Sequence, residues 1–425
     1  RDSVASRGLG DVYKRQILVY LGIKGRDLIE PLIALGFGAS FGWMAGLLAG
    51  ISISFLIINV MVMSTAFYTW FERRMIGRFQ VRRGPNRNGP FGILQPFADV
   101  LKLIMKEDTI PDAADKPVFT LAPIALLAPT LMIMIVIPFG TYASDQAFLS
   151  NLNIGILFIV GVTSVNSIAI FMAGWGSRNK YAILGSMRGA AMLISYEIPM
   201  ALGITSVLLL SGSLAMTQIV QSQSIWFILV MPMGFFVFMA ASTAEMSRTP
   251  FDQIEAESEL GSGYNTEYSG IKFAVLFLAE FMAPIVTAAV VTTLFLGGSQ
   301  GFDFLPGGIW FAIKMFVLIF LLLWVRSTWP RLRIDQIMGF AWKILFGLGL
   351  FNIFLVAVEF MVAVELGHTK DDGSLTTEYM LIMAAVNWMV TIIAFVILAN
   401  FVGKKKYHRP EPTASPLANM GIGGD

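Results

Sequence analysis

The chain contains no cysteine among its 425 residues. This absence excludes iron–sulfur clusters, thiolate zinc sites and disulfides, all of which need the cysteine sulfur. Histidine is almost as scarce, because only His368 and His408 occur and neither lies inside an apolar segment. A bis-histidine haem within a membrane is therefore excluded too. If the protein takes part in redox chemistry, the electron carriers belong to partners, and no metal site is expected.

Charged residues are also few. They make up 14% of the chain, whereas soluble domains carry about a quarter. Hydrophobic residues make up 56%, and the mean hydropathy is +0.71. This composition is typical of a polytopic membrane protein. We therefore predict an all-α fold, a membrane helix bundle surrounded by lipid, and we expect no nucleic-acid partner.

Long apolar segments predict about nine transmembrane helices, since each reaches or approaches the ~20 residues that span a bilayer. The segments are 42–71, 118–140, 153–175, 188–211, 225–247, 272–297, 309–326, 339–365 and 379–403. The first segment is ambiguous because residues 31–71 carry no charge and would make a helix about twice as long as a bilayer is thick. Either a re-entrant piece precedes the first crossing, with a break at one of several glycines (Gly36, Gly38, Gly42, Gly46 or Gly50), or a further crossing lies near 28–50.

The distribution of Lys and Arg predicts the orientation of the bundle. Residues 72–117 hold nine of them, whereas the four loops on the opposite side hold only Lys370. By the positive-inside rule, the 72–117 loop and the C-terminal tail face the cytoplasm. We then expect the chain to divide into a leader (1–27) that is either native or non-native, the helix bundle (28–365), an additional transmembrane helix (366–403) and a basic, disordered tail (404–425). The basic leader conflicts with nine crossings, and a tenth crossing or a non-native leader would resolve the conflict.

An arginine-rich loop follows the first crossing. Six arginines lie within 15 residues, separated by the turn-forming Gly84-Pro85 and Gly89-Pro90: Arg73, Arg74, Arg78, Arg82, Arg83 and Arg87. Residues 94–107 then alternate at helical spacing, which predicts a short amphipathic helix at the membrane interface. The loop is either an anchor for anionic lipid or a docking surface and pocket for a polar headgroup.

Three carboxylates lie within apolar segments at graded depths: Glu197, Glu245 and Glu280. A carboxylate there is costly unless it is protonated, paired or hydrated. We interpret the three as a hydrated, proton-accepting path, against the alternative that each is a structural hydrogen-bonder. Lys314 and Glu359 lie at equal distances from the centre of one helical hairpin, and we favour a structural ion pair between them over a second relay site.

A second loop, 248–270, is strongly acidic. It carries five carboxylates and a single cation, Arg248, in the sequence RTPFDQIEAESELGSGYNTEYSG. Crowded carboxylates are candidates for proton uptake, although an exposed acidic loop is an equal alternative. Because this loop and the arginine loop share one face, we expect them to meet. The segment 324–336, WVRSTWPRLRIDQ, alternates arginine with aromatic residues and is suited to lipid headgroups or to an amphipathic ligand.

Together these segments closely resemble one family, the membrane subunit of respiratory complex I that joins the peripheral arm to the membrane arm. In bacteria it is the H subunit of NADH-quinone oxidoreductase. The resemblance covers roughly residues 50–345. It rests on ERRMIGRFQVRRGPNRNGPFGILQPFADVLKLIMKED, on RTPFDQIEAESELGSGYNTEYSG followed by FLAE, and on WVRSTWPRLRIDQIM. The family's usual core has eight helices, so residues 379–403 stand as an addition of unknown role.

The resemblance implies a function. In the family, electrons pass from NADH through flavin and iron–sulfur clusters in partner subunits to quinone, and proton (or sodium) export is driven across the bacterial inner membrane. This subunit would carry no redox centre or tightly bound cofactor, form much of the quinone tunnel, and contact the quinone-site subunits of the peripheral arm and small membrane-arm subunits.

Carried over residue by residue, the resemblance implies two sets of site residues. The tunnel and interface set is Glu72, Arg73, Asp99, Arg326, Arg331 and Arg333. The acidic relay set is Glu197, Glu245, Asp252, Glu255, Glu257, Glu259, Glu267 and Glu280. The chain departs from common bacterial patterns at Asn265, where His is frequent, and at PFDQIE, which affects only the fine geometry of the loop.

Two other functions remain open from the sequence. The homologous subunit of a [NiFe]-hydrogenase or ferredoxin-linked complex would share the fold and the acidic relay without a quinone tunnel. A stand-alone secondary transporter would also hold buried acids, but the chain shows no internal repeat. The identity of the quinone, the exported ion and the direct electron donor do not follow from the sequence.

Overall fold

The computed structural model describes residues 42–139, 152–254, 259, 261–302, 305–368 and 375–403. Within these ranges the chain is helical and contains no β-strand, which confirms the predicted all-α class. The leader 1–27, the tail 404–425 and the loop residues Glu255 and Glu257 lie outside the described residues.

The helices follow one another along the chain with short connections. Their bounds are α1 Gly42–Phe79, α2 Gln95–Ile104, α3 Lys116–Ile133, α4 Gly155–Thr163, α5 Val165–Gly176, α6 Lys180–Ser211, α7 Met216–Ser222, α8 Phe227–Val230, α9 Pro232–Glu245, α10 Gly270–Phe295, α11 Gly307–Thr328, α12 Ile334–Glu365 and α13 Thr377–Gly403. A π-helical stretch, Phe340–Leu345, lies inside α12.

Each of the nine predicted segments contains helix, and eight helices of the described residues are long and apolar enough to cross a membrane. The exception is 225–247, where the helix is interrupted at Met231 (φ −133°, ψ 71°). Pro232 follows directly, and because proline has no backbone N–H, the helix cannot continue through it with its regular hydrogen bonds. The segment 153–175 is divided at Ser164 into α4 and α5, but Ser164 keeps helical dihedral angles (φ −63°, ψ −20°) and its amide donates to the Val160 carbonyl. The two helices therefore form one span, Gly155–Gly176.

The first crossing is a single helix of 38 residues. No break is therefore formed at Gly46 or Gly50. Gly42 is the first residue of the described helix, and Gly36, Gly38 and residues 28–41 lie outside the described residues. At ~1.5 Å per residue α1 is about 57 Å long, which exceeds the ~30 Å hydrocarbon core. The surplus places Arg73, Arg74 and Arg78 beyond the apolar part of the helix.

The amphipathic helix predicted at 94–107 is observed as α2. Asp99 pairs with Arg73 of α1 at 2.5 Å, which holds α2 beside the end of the first crossing. Trp70 and Arg74 of α1 both donate to the carbonyl of Phe91, at 3.0 and 3.2 Å, and so fold the arginine loop back onto α1. The predicted apolar face of α2 is exposed, with Leu101 60% and Met105 85% accessible, as expected of a helix that lies on lipid.

The loops between crossings meet at one end of the bundle, which we call the basic end. Thr109 and Ser269 are hydrogen-bonded there at 2.8 Å, and the Asp115 amide donates to the Gly176 carbonyl at 3.0 Å. Tyr268 stacks on Phe119 with ring centroids 4.0 Å apart. These contacts bring the segment between α2 and α3, the acidic loop and the end of α5 to one surface.

The predicted ion pair between Lys314 and Glu359 is wrong. The Lys314 ammonium instead donates to the carbonyls of Leu296, Gly298 and Gln300, at 2.6, 3.0 and 2.5 Å. Equal height on consecutive helices does not make two residues neighbours: α11 packs on α10 and α1, whereas α12 packs on α6 and α9. Carbonyl groups at and just after the end of α10 have no partner within the helix and lie at the height of Lys314. The Lys314 ammonium therefore donates its hydrogen bonds to them.

Helices α5 and α6 cross at close range at Gly174. A Cβ atom placed there would overlap the Ser186 side chain and the Ala182 carbonyl oxygen. Gly161, in the other half of the same crossing, has no atom within 4 Å of its Cβ position. Contact at Gly174 therefore depends on the absence of a side chain.

We expect Gly174→Ala to lower the free energy of unfolding by about 1–3 kcal/mol, the usual cost of overpacking. Gly161→Ala serves as the control and should be neutral or slightly stabilising, since alanine favours helix. Thermal unfolding in detergent measures both variants. Equal midpoints would show that the α5–α6 crossing is not as close as described.

Candidate functional site

Four charged side chains form a buried cluster at the basic end, which we call the charged quartet: Glu72, Arg248, Glu280 and Arg326. Glu72 (α1) is paired with Arg326 (α11) and lies 3.2 Å from Nη1 of Arg248. The other end of the Arg248 guanidinium lies 3.4 Å from the Glu280 carboxylate in α10. Glu72 and Arg248 are only 2% and 6% exposed. The quartet therefore joins three crossings through the first residue of the acidic loop.

The charges of the quartet balance, since two arginines face two carboxylates. Burying a charge is costly unless it is paired and hydrogen-bonded, so the pairing is what allows these groups to lie inside the bundle. The guanidinium of Arg248 also lies over the Phe281 ring, 4.2 Å from its centroid. Glu72 Oε2 and Arg248 Nε have no hydrogen-bond partner within the described residues. The quartet thus holds Arg248 between two carboxylates, and two polar atoms of the quartet remain able to form a further hydrogen bond.

A second set of contacts fastens the acidic loop to the segment after α11. Arg331 pairs with Asp252 at 2.6 Å, and the Gln253 side chain donates to the Leu332 carbonyl at 2.5 Å. Arg188 of α6 donates to Gln253 and pairs with Glu259 at 2.7 Å. Most of these groups are partly exposed. Two of the described carboxylates of the loop therefore meet Arg331 and Arg188. Among the described residues none of them pairs with an arginine of the 73–87 loop, where the acidic loop was expected to dock.

The remaining predicted site residues lie apart from the quartet. Glu267 accepts a hydrogen bond from Asn179 at 2.6 Å at the far side of the acidic loop. Burial raises the pKa of the neighbouring Tyr268, whose hydroxyl donates to the Phe119 carbonyl at 3.1 Å. Arg333 is exposed and, among the described residues, forms no ion pair.

The three predicted membrane carboxylates line two small cavities. The larger, about 50 Å³, is lined by Glu245 and Glu280 together with Asn166, Thr130 and Tyr264. The smaller, about 10 Å³, is lined by Glu197 and Glu245, again with Asn166. A cavity needs roughly 10–15 Å³ of such volume to hold one water molecule, so the larger has room for a few and the smaller for about one. Glu245 and Asn166 border both cavities.

Asn166, near the start of α5, borders both of these cavities. Its side-chain oxygen is buried without a hydrogen-bond partner within the described residues, and it lies beside Glu197 and Glu245. Sequence reasoning missed this residue, although the polar run TSVNS inside an apolar crossing was a signal. It also missed Arg248 as a site residue, because nothing in the loop's composition shows that this side chain turns into the bundle.

From the quartet inward, the polar groups form one sequence of neighbours. Arg326, Glu72, Arg248 and Glu280 are joined by ion pairs, and Glu280, Glu245 and Glu197 are joined by the two cavities. The fold and this arrangement define a class: an integral membrane protein of the polytopic helical type, with an ionic cluster at its basic end and carboxylates in its interior.

Comparison with known proteins identifies the family. The profile of the family described as NADH dehydrogenase matches residues 51–357. The chain is 49% identical over 311 residues to the H subunit of NADH-quinone oxidoreductase from Dehalococcoides mccartyi (strain CBDB1), which covers 73% of this chain and 87% of that protein. It is 48% identical over 292 residues to the protein of that name from Bacillus cytotoxicus, covering 68% of this chain and 86% of the relative. The chain therefore belongs to the NADH dehydrogenase family, as its motifs predicted.

Arg248 and Arg331 both pair with carboxylates, but at very different depths. Removing one partner of a buried pair leaves an uncompensated charge, which costs about 3–5 kcal/mol, whereas a partly exposed pair contributes roughly 0–1 kcal/mol. We therefore expect Arg248→Leu to destabilise the protein far more than Arg331→Leu. Unfolding in detergent compares the two variants. A similar loss in both would mean that the quartet is hydrated and its pairing weak.

Proposed function

We propose that this protein is the membrane subunit of a proton-pumping NADH:quinone oxidoreductase, and that it guides quinone to a reduction site at the basic end. It carries no redox centre of its own and assembles with the quinone-site subunits of the peripheral arm and small membrane-arm subunits. The basic end faces the cytoplasm of a bacterial cell. The names of the similar proteins and the arrangement around Arg248 support this proposal.

The quinone part of the proposal rests on what surrounds the quartet. Glu72 and Arg326 offer polar partners for a quinone headgroup at the ends of α1 and α11. Beside them, α2 and α11 present exposed apolar side chains, among them Phe97 (42% exposed), Leu101 (60%) and Trp324 (54%). An amphipathic ligand would place its ring near the charges and its isoprenoid tail along these faces.

The coupling part rests on the shared arginine. Reduction of a quinone consumes two electrons, supplied by partner subunits, and two protons. When a proton or a changed headgroup alters the charge at Glu72, Arg248 is attracted less strongly to Glu72 and more strongly to Glu280. An arginine held at 3.2 Å from one carboxylate and 3.4 Å from the other needs little movement to favour either.

The change then passes inward through the membrane carboxylates. While Arg248 is drawn toward Glu280, that carboxylate stays charged. When Arg248 returns to Glu72, the cation is withdrawn from Glu280, which then takes up a proton and can pass it toward the cavity it shares with Glu245. Glu245 passes the proton on toward Glu197 through the smaller cavity. The single observation that carries this proposal is that Arg248 contacts both a tunnel residue and a relay residue.

We expect Glu245→Gln to slow coupled proton transport by about tenfold or more, since positioned proton carriers contribute on the order of 10²-fold to such transfers. Glu197→Gln and Glu280→Gln should act in the same direction. Proton uptake by proteoliposomes that contain the assembled complex, measured beside quinone reductase activity, tests this. Glu107→Gln is the control, because Glu107 is an exposed carboxylate of the loop before α3. Full pumping and reductase activity in the three relay variants would contradict the proposal.

We expect Asp99→Asn to raise the KM for quinone by up to about fivefold with a smaller effect on kcat. The reason is that Asp99 holds α2 to Arg73, a partly exposed pair that contributes no more than about 1 kcal/mol. The control is Lys102→Gln on the same helix, which forms no ion pair among the described residues. Steady-state kinetics with a water-soluble quinone separate the two constants. An equal KM in both variants would argue against α2 as part of the tunnel.

A further inference from the structure

A separate polar cluster lies in the other half of the bundle, far along the helices from the charged quartet. It forms where the C-terminal helix α13 packs against α12 and against the break between α8 and α9. Asn387 of α13 donates one hydrogen bond to the Val230 carbonyl at 2.9 Å and another to Oε2 of Glu359 at 2.8 Å. We call Val230, Glu359 and Asn387 the outer polar cluster.

The break at Met231 explains why a polar side chain is needed here. The interruption leaves the Val230 carbonyl without its place in a regular helical hydrogen-bond ladder, and at membrane depth every backbone polar group must find a partner within the protein. Asn387, which is 2% exposed, supplies that partner from α13. The C-terminal helix therefore completes the fifth crossing and is not merely appended to the bundle.

Glu359 is the only ionisable member of the cluster. Its Oε1 is buried without a hydrogen-bond partner among the described residues, and Oε2 has one neutral donor. Within the described residues no cation forms an ion pair with it. A carboxylate in apolar surroundings without a cation is costly, and binding a proton removes that cost.

The elements packed around Glu359 bring no opposing charge. Between Phe227 and Ala244, α8 and α9 contain no charged residue. Of the charges of α6, Lys180 and Arg188 lie toward its other end and Glu197 lies near its middle. Glu365 and Glu378 are exposed at the outer ends of α12 and α13. The titratable group in contact is Tyr379, whose hydroxyl donates to the Glu359 backbone carbonyl at 2.8 Å.

A polar column leads from the cluster to the outer loop. The Tyr379 ring stacks on His368, with centroids 5.6 Å apart, and the His368 carbonyl accepts from the Thr376 amide at 2.9 Å. The hydroxyl oxygen of Thr376 is buried and has no partner among the described residues. Glu359 lies six residues before the end of α12 at Glu365, which is about 9 Å at ~1.5 Å per residue. The cluster is thus within short reach of the outer surface.

We propose that Glu359 is a proton-exchange site in the outer half of the bundle, and that Asn387 of the C-terminal helix completes it. Its ligand is a proton and not a metal ion. A hard cation collects oxygen ligands, but the Asn387 amide nitrogen faces both the Val230 carbonyl and Glu359, so these oxygens already accept N–H groups. The site is independent of quinone reduction and of the relay proposed above.

Infrared difference spectroscopy of the full chain in lipid nanodiscs tests the site directly, because the carbonyl stretch of a protonated carboxyl group disappears when the proton leaves. On an alkaline pH step we expect the wild-type protein to lose such a band, and Glu359→Gln to lack that component. Glu365→Gln is the matched control, since it removes an exposed carboxyl group from the same helix, and its spectrum should keep the band.

Two further variants keep the test decisive. Glu359→Asp should retain a titrating band at a shifted frequency, and Asn387→Leu should move the Glu359 band to higher frequency because the hydrogen bond from the amide is lost. The proposal is overturned if Glu359→Gln gives the wild-type difference spectrum. It is equally overturned if the band responds to added sodium at constant pH, which would indicate a cation site.

Discussion

The fold around the basic end depends on one interaction, the shared pairing of Arg248 with Glu72 and Glu280. The guanidinium joins α1, α10 and the acidic loop, and α11 is tied to them through the pair between Arg326 and Glu72. The two arginines together allow the two carboxylates to remain inside the bundle. Because the quartet contains two positive and two negative groups, it is neutral as a whole. A neutral cluster tolerates burial, yet any proton gained or lost by one member unbalances the other three.

This constraint also links the two regions that the motifs placed in separate roles. Glu72 belongs to the tunnel set and Glu280 to the relay set, and the structure makes both of them direct neighbours of Arg248. Arg326 of the tunnel set joins them through its pair with Glu72. Among the described residues the ion pairs end at Glu280. Glu280 and Glu245 instead line the same cavity. The exposed pairs, Arg73 with Asp99 and Arg331 with Asp252, lie at the rim and hold α2 and the acidic loop in place, where water weakens their energetic contribution.

Much of this arrangement could be predicted from the sequence. The length of the apolar segments predicted the crossings. Glu197, Glu245 and Glu280 stood out as candidate site residues because a carboxylate inside an apolar segment is energetically costly. Features that depend on which helices touch could not be predicted. The predicted ion pair between Lys314 and Glu359 was wrong because two residues at the same height on consecutive helices need not be in contact. Arg248 was missed because the composition of a loop does not show which of its side chains turns into the bundle. The interruption at Met231 had a signal in the following Pro232, but its partner Asn387 lies 156 residues further along the chain.

The two groups of buried carboxylates differ in how the backbone accommodates them. At Met231 the helix is interrupted, and Asn387 donates both to the Val230 carbonyl and to Glu359. Lipid cannot satisfy a freed backbone group, so a polar side chain must lie there, and that side chain also gives the buried carboxyl group a hydrogen-bond partner. Glu197 and Glu280 lie instead within the continuous helices α6 and α10, where a small polar cavity or an ion pair with an arginine accompanies each of them. A helix break is therefore one way in which this bundle accommodates an ionisable group at depth, and pairing or a small cavity beside a regular helix is another.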